Sequence, residues 1–154
     1  MTLAIGDTVP SATLLDADGA AIDLKALKGA PLVVYFYPKA DTPGCTVEAQ
    51  DFTRLAPEFA RLGAQVLAVS RDAPAKLCKF RDKYGLTVRL ASDEDGAVCE
   101  AFGTWVEKQN YGRTYMGIER ATFLFGADGK LVREWRKVRV KGHAEAVLEA
   151  ARTL

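Results

Sequence analysis

The chain has 154 residues, nearly half of them hydrophobic, about a quarter charged, and a net charge of +1. That balance describes a folded soluble domain long enough to bury a core, and it leaves no polyanion footprint for nucleic acid or anionic membrane. No apolar run approaches the ~18 residues of a membrane span, and the start, Met1 to Asp7, has neither the basic nor the apolar segment of a secretory leader. Three cysteines, Cys45, Cys78 and Cys99, form no secreted-type disulfide framework. They fit a cytoplasmic protein whose thiols act individually.

In chain order, Ser11–Leu15 and Ala21–Leu24 alternate around Asp16-Ala17-Asp18-Gly19, which predicts an N-terminal hairpin. The unbroken run Leu32–Tyr37 predicts a strand covered on both faces and stopped by Pro38. Val47–Leu62 has helical spacing interrupted at Pro57, so two pieces or a kink are expected. Gln65–Ser70 reads as a second buried strand, Ala73–Tyr84 as an amphipathic helix ended by Gly85, and Val88–Ala91 as a short strand. Asp95–Phe102 is a short helix, Ala121–Phe125 and Leu131–Trp135 form a hairpin about Gly126–Gly129, and Gly142–Leu154 closes with a helix. Strand–helix alternation followed by a hairpin and a helix predicts one α/β domain over residues 1–154, with a central mixed β-sheet flanked by helices.

The chemistry concentrates at Tyr35–Glu48. With Thr42 as N-cap, Pro43 and Gly44 occupy the first two helical positions and Cys45 the third. A thiol there sits beside unpaired backbone N–H groups at the positive end of the helix dipole. That setting favours the thiolate, the only competent nucleophile, and Gly44 leaves room for a small reactant. The alternative, a small buried hydrophobe, is the ordinary role of a free cysteine.

Pro38, Thr42 and Cys45 reproduce the P-x-x-x-T-x-x-C pattern, and Y-F-Y-P-K-A-D-T-P-G-C-T-V-E-A resembles the peroxiredoxins of the Q-type, the bacterioferritin-comigratory-protein subfamily. The resemblance continues in V-S-R-D (Val69–Asp72), S-D-E-D-G (Ser92–Gly96), Y-G-R-T-Y-M-G-I-E-R (Tyr111–Arg120) and T-F-L-F (Thr122–Phe125). It implies a thioredoxin-like fold and a thiol peroxidase reducing hydrogen peroxide and organic hydroperoxides, without a cofactor. By the same resemblance Cys45 attacks the O–O bond and becomes a sulfenic acid, Thr42 and Arg120 hold the sulfur and the peroxide oxygens, and Pro38 shields the site from water. Negative charge develops on the departing oxygen in that step, and an arginine fork is suited to meet it. Re-reduction by thioredoxin and a monomeric state are further family expectations.

Arg120 opens a strand whose expected partner is Leu32–Tyr37. Glu48, one turn after Cys45, opposes a thiolate unless it is paired, and Arg120 is its expected partner, a solvated carboxylate being the alternative. Many Q-type members carry a resolving cysteine five residues after the peroxidatic one, where this chain has Gln50. Others carry it on the next long helix, which points to Cys78. Leu77, Phe80 and Tyr84 form that helix's buried stripe, and Cys78 lies about 130° from its centre at ~100° per residue, so it is expected to be accessible. An incidental thiol in a one-cysteine peroxidase is the alternative. Cys99, beside Val98 and Phe102, reads as packing.

Competing chemistries lack their residues. There is no Cys-x-x-Cys for a disulfide oxidoreductase and no ligand cluster for zinc. The only histidine, His143, reads as a surface residue at a helix end, leaving a Cys–His hydrolase without a positioned base. A non-enzymatic peroxide sensor or holdase using Cys45 as a switch is the rival from another class.

Overall fold

The computed structural model describes residues 3–154; the first two residues of the N-terminal stretch lie outside it. A seven-stranded sheet has the order β2-β1-β5-β4-β3-β8-β9. Its strands are β1 (Thr13–Asp16), β2 (Ala21–Asp23), β3 (Leu32–Phe36), β4 (Gln65–Ser70), β5 (Arg89–Ser92), β8 (Ala121–Phe125) and β9 (Leu131–Trp135). The central β3, β4 and β5 run parallel, while β1, β8 and β9 are antiparallel to their neighbours. This is the expected central mixed sheet, with its N-terminal strand pair.

All five residues of β3 are buried, which explains its continuous apolar sequence. Val33 and Tyr35 face a core shared with α1 (Pro43–Arg54), α2 (Ala56–Arg61), α3 (Pro74–Tyr84) and α5 (His143–Arg152). Val34 and Phe36 face a second core with Val98, Cys99 and Phe102, in and beside α4 (Ala97–Ala101). The predicted helix break is real. α1 ends at Arg54, and Leu55 links it to α2, which carries Pro57 in its first turn, where the missing N–H is tolerated.

Some boundaries differ from the expectations. Asp95–Phe102 contracts to Ala97–Ala101, because Asp93 accepts from the N–H groups of both Val98 and Cys99 and organises the helix start. Between residues 103 and 120, where no element was expected, β6 (Trp105–Asn110) and β7 (Arg113–Ile118) form a separate two-stranded hairpin. Tyr111 and Gly112 turn it with φ of 51° and 76°, the left-handed pair of a tight hairpin turn. Most of its residues are partly or fully exposed, so the sequence carries no clean alternation.

Candidate active site

Three chain segments meet at Cys45. The first is the end of β3, where Tyr37 donates its N–H to the Val69 carbonyl before Pro38 stops the strand. Asp41 then adopts φ of 61°, held by its carboxylate on Lys83 and the Tyr84 hydroxyl, and the chain enters α1. The second is α1 itself, with Pro43 in its first turn and Cys45 at the third helical position. The third is β8, whose Ala121 pairs with Phe36 and so sets Arg120 beside the end of β3, the expected strand partnership.

Cys45 is 2% exposed, although the flanking Pro43 and Gly44 are exposed. Arg120 points one arm of its guanidinium at each of two partners. Nη2 donates to Cys45 Sγ at 3.3 Å, and Nη1 donates to Glu48 Oε1 at 2.6 Å. The expected Glu48–Arg120 pair is therefore formed, and it is buried on the carboxylate side. Burial raises Glu48 to about 7, against the opposing pull of Arg120. Burial of the guanidinium works against its charge, but Glu48 and Cys45 outweigh this and leave Arg120 more firmly protonated than usual. A Cβ on Gly44 would lie 3.4 Å from Arg120 Nη2, so the helix start runs against the guanidinium.

Behind this pair lies Tyr35, stacked on Phe52 at 4.5 Å between ring centroids. Its hydroxyl and Glu48 Oε2 are both buried without a protein partner. Burial, then the neighbouring Glu48, raises the Tyr35 phenol well above its ordinary value, so it stays neutral.

Thr42 precedes α1 as expected, but its hydroxyl does not cap the helix. It donates instead to the Lys39 carbonyl at 2.8 Å. The N–H groups of the first turn are left free of a side-chain cap, consistent with a site that receives its own acceptor. Pro38 is exposed and forms part of the wall of a groove of about 520 Å³, with Trp105, Lys108, Met116 and Ile118 of the β6–β7 hairpin. Lys108, on β6 just before the Tyr111–Arg120 block, lines the same groove. Burial and then Arg120 lower its pKa.

Cys78 lies on α3, half-buried, while Leu77 and Phe80 form the buried stripe and Tyr84 is only half-buried. Cys99 is fully buried, and burial, then Asp93, pushes its thiol far up, in keeping with packing. All three cysteines are free. His143 corrects its expectation. It is buried at the start of α5, its Nε2 lies 2.7 Å from Thr122 Oγ1, and it sits edge-on to Trp135 and Phe52. Burial lowers it to about 4. The polar run Lys141-Gly142-His143 concealed this, because the ring turns inward onto β8. Among the described residues no group of metal-ligating side chains is present.

The model of the AhpC/TSA family matches residues 5–134. The chain is a peroxiredoxin of the AhpC/TSA family. It is 46% identical over 154 residues to peroxiredoxin Bcp of Bacillus subtilis, covering 100% of this chain and 96% of that one. To peroxiredoxin Bcp of Escherichia coli it is 44% identical over 146 residues, covering 95% and 94%. Among solved structures it resembles the bacterioferritin comigratory protein of Xanthomonas campestris, described for its alkyl peroxide reduction activity. The TM-score is 0.91 and the identity 44%, with 98% and 96% of the chains covered. Peroxidoxin BcpB of Mycobacterium tuberculosis gives a TM-score of 0.85 at 35% identity, covering 97% of each chain. In this peroxiredoxin Arg120 touches both Cys45 and Glu48.

Proposed function

We propose that the protein is a thiol peroxidase that reduces hydrogen peroxide and organic hydroperoxides through Cys45. The observation that carries the reading is the guanidinium of Arg120 held between a buried carboxylate and the Cys45 sulfur. Glu48 fixes one arm, so the other stays directed at the position where sulfur meets peroxide. Attack of the Cys45 thiolate on one peroxide oxygen breaks the O–O bond. It leaves a sulfenic acid on Cys45 and expels hydroxide or alkoxide, which takes up a proton. Arg120 supplies a preplaced donor for the oxygen charge that develops, which lowers the barrier. The Thr42 hydroxyl adds a second donor once it turns from the Lys39 carbonyl that it bonds at 2.8 Å.

Cys78 is proposed as the resolving thiol, closing an intramolecular disulfide that thioredoxin then reduces. A disulfide needs Cα atoms within ~7 Å. Both cysteines sit within helices packed on the sheet, so closure calls for local unwinding around Cys45. Two features at the start of α1 support unwinding there. Thr42 makes no side-chain cap, and Asp41 holds a left-handed backbone that non-glycine residues adopt at a cost. Cytoplasmic location and a monomeric state belong to the same proposal. Among the described residues, no helix is long and apolar enough to cross a membrane.

The test is NADPH consumption with thioredoxin, its reductase and hydrogen peroxide. Sustained turnover that vanishes in Cys45→Ser supports the enzyme. Stoichiometric oxidation without turnover supports a redox switch instead.

A further inference from the structure

Cys78 is half-buried against the core, and polar side chains reach its sulfur. Its Sγ donates toward Asp82 Oδ2 at 3.7 Å, one turn on, and accepts from Arg81 Nη2 at 3.3 Å. Arg81 is anchored outside α3, because Nη1 meets both carboxylate oxygens of Asp18 at 3.1 Å, on the turn between β1 and β2. Its Nε donates to Asp82 Oδ1 at 3.2 Å, so the same arginine also orients the carboxylate. Asp18 is the charged group that reaches this cluster from another element, while the neighbouring Lys83 is turned to Asp41. The thiol therefore has a carboxylate acceptor for its proton and a guanidinium donor for the sulfur that remains.

We propose that Asp82 and Arg81 are the general base and the charge-stabilising partner that activate Cys78 as the resolving nucleophile. The inference rests on the reading that Cys78 resolves the sulfenic acid. The Cys78 proton passes to Asp82, and Arg81 holds the anionic sulfur. That sulfur attacks Sγ of the Cys45 sulfenic acid. The S–S bond forms, the S–O bond breaks, and hydroxide leaves and is protonated to water. Cys78 is oxidised and the Cys45 sulfur reduced, with peroxide the only oxidant. The carboxylate side chain is 67% exposed and Arg81 31% exposed, so substitution at either leaves the core intact. The exposure also keeps the expected effect below the usual hundredfold or more of general-base assistance, at about tenfold.

The experiment follows sulfenic acid formation and disulfide formation separately, by rapid quench, alkylation and mass spectrometry from pH 5.5 to 9. It compares wild type with Asp82→Asn, Arg81→Gln and Arg81→Lys. Asp82→Asn and Arg81→Gln are expected to close the Cys45–Cys78 disulfide about tenfold more slowly at pH 7, with sulfenic acid formation unchanged. Arg81→Lys is expected to recover most of the rate. The deficit is expected to shrink towards the alkaline end of the range, where hydroxide takes the thiol proton without Asp82. Wild-type rates in both variants at every pH, or a deficit of constant size across the range, would overturn the inference. If wild type forms only sulfenic or sulfinic Cys45 and no disulfide with Cys78, the reading of Cys78 fails first. That result is distinct from a wild-type disulfide that the variants form equally fast.

Discussion

The guanidinium Nη2 of Arg120 lies 3.3 Å from the sulfur of Cys45. Seventy-five residues separate the two in sequence, and the contact exists because β8 pairs antiparallel with β3 in a register that brings Ala121 opposite Phe36. The sheet thus fixes the arginine backbone, Glu48 fixes one arm of its side chain, and the remaining arm is committed to the sulfur.

Arg120→Lys keeps the charge beside Glu48 but cannot serve two partners in one plane. The second-order rate of Cys45 oxidation is expected to fall about 100-fold, the scale of losing one preorganised donor, with the urea midpoint little changed. Arg120→Met leaves the Glu48 carboxylate buried and unpaired. It should cost about 3 kcal/mol of stability at pH 8, measured by urea unfolding. A lysine variant that oxidises as fast as wild type removes Arg120 from the transition state.

Thr42→Val tests a different donor. Because the hydroxyl bonds the Lys39 carbonyl and not the helix start, the change removes one exposed hydrogen bond, worth about 1 kcal/mol or less. Peroxide oxidation of Cys45 is expected to slow while peptide circular dichroism and unfolding midpoint stay close to wild type. An unchanged oxidation rate denies the hydroxyl a part in the reaction.

The pH dependence of stability contains two opposed contributions. Glu48 is raised from 4.5 to about 7, so its contribution is fully present below pH 4.5 and is lost as pH rises to about 7. His143 is lowered from 6.5 to about 4, so its contribution is present above pH 6.5 and is lost as pH falls to about 4. Between about 4.5 and 6.5 the two oppose each other. Glu48→Gln should uncover the histidine and make stability fall steadily from pH 6.5 to 4. His143→Gln should uncover the glutamate and make stability fall from pH 4.5 to 7. Urea midpoints across pH 4–8 check both, and variant profiles parallel to wild type contradict both assignments.

Much of the scaffold was legible because β3, β8 and most of β4 are buried on both faces and so are written as largely apolar runs. The position of Cys45 was legible because a threonine, a proline and a glycine before a helical pattern are local signals. The Glu48–Arg120 pair followed from one carboxylate a turn beyond a thiol, together with the family block ending at Arg120. The β6–β7 hairpin was not legible, since a ribbon standing apart from the main sheet needs no hydrophobic face. His143 was misread because helix-end position is a local property, whereas its burial depends on Thr122, Phe52 and Trp135 from three other elements. The hydroxyl of Thr42 was misplaced for a similar reason, because the preceding turn brings the Lys39 carbonyl within its reach.

The most direct test of the account is to find where the first oxygen lands. The Cys78→Ser protein is treated with one equivalent of hydrogen peroxide in the presence of a sulfenic-acid-specific trap such as dimedone, and the adduct is located by peptide mapping. The account predicts a single dominant adduct on Cys45, lost when Cys45 is changed to serine and unaffected by Cys99→Ser. An adduct on Cys99, or trapping that persists in the Cys45→Ser, Cys78→Ser double variant, would contradict it.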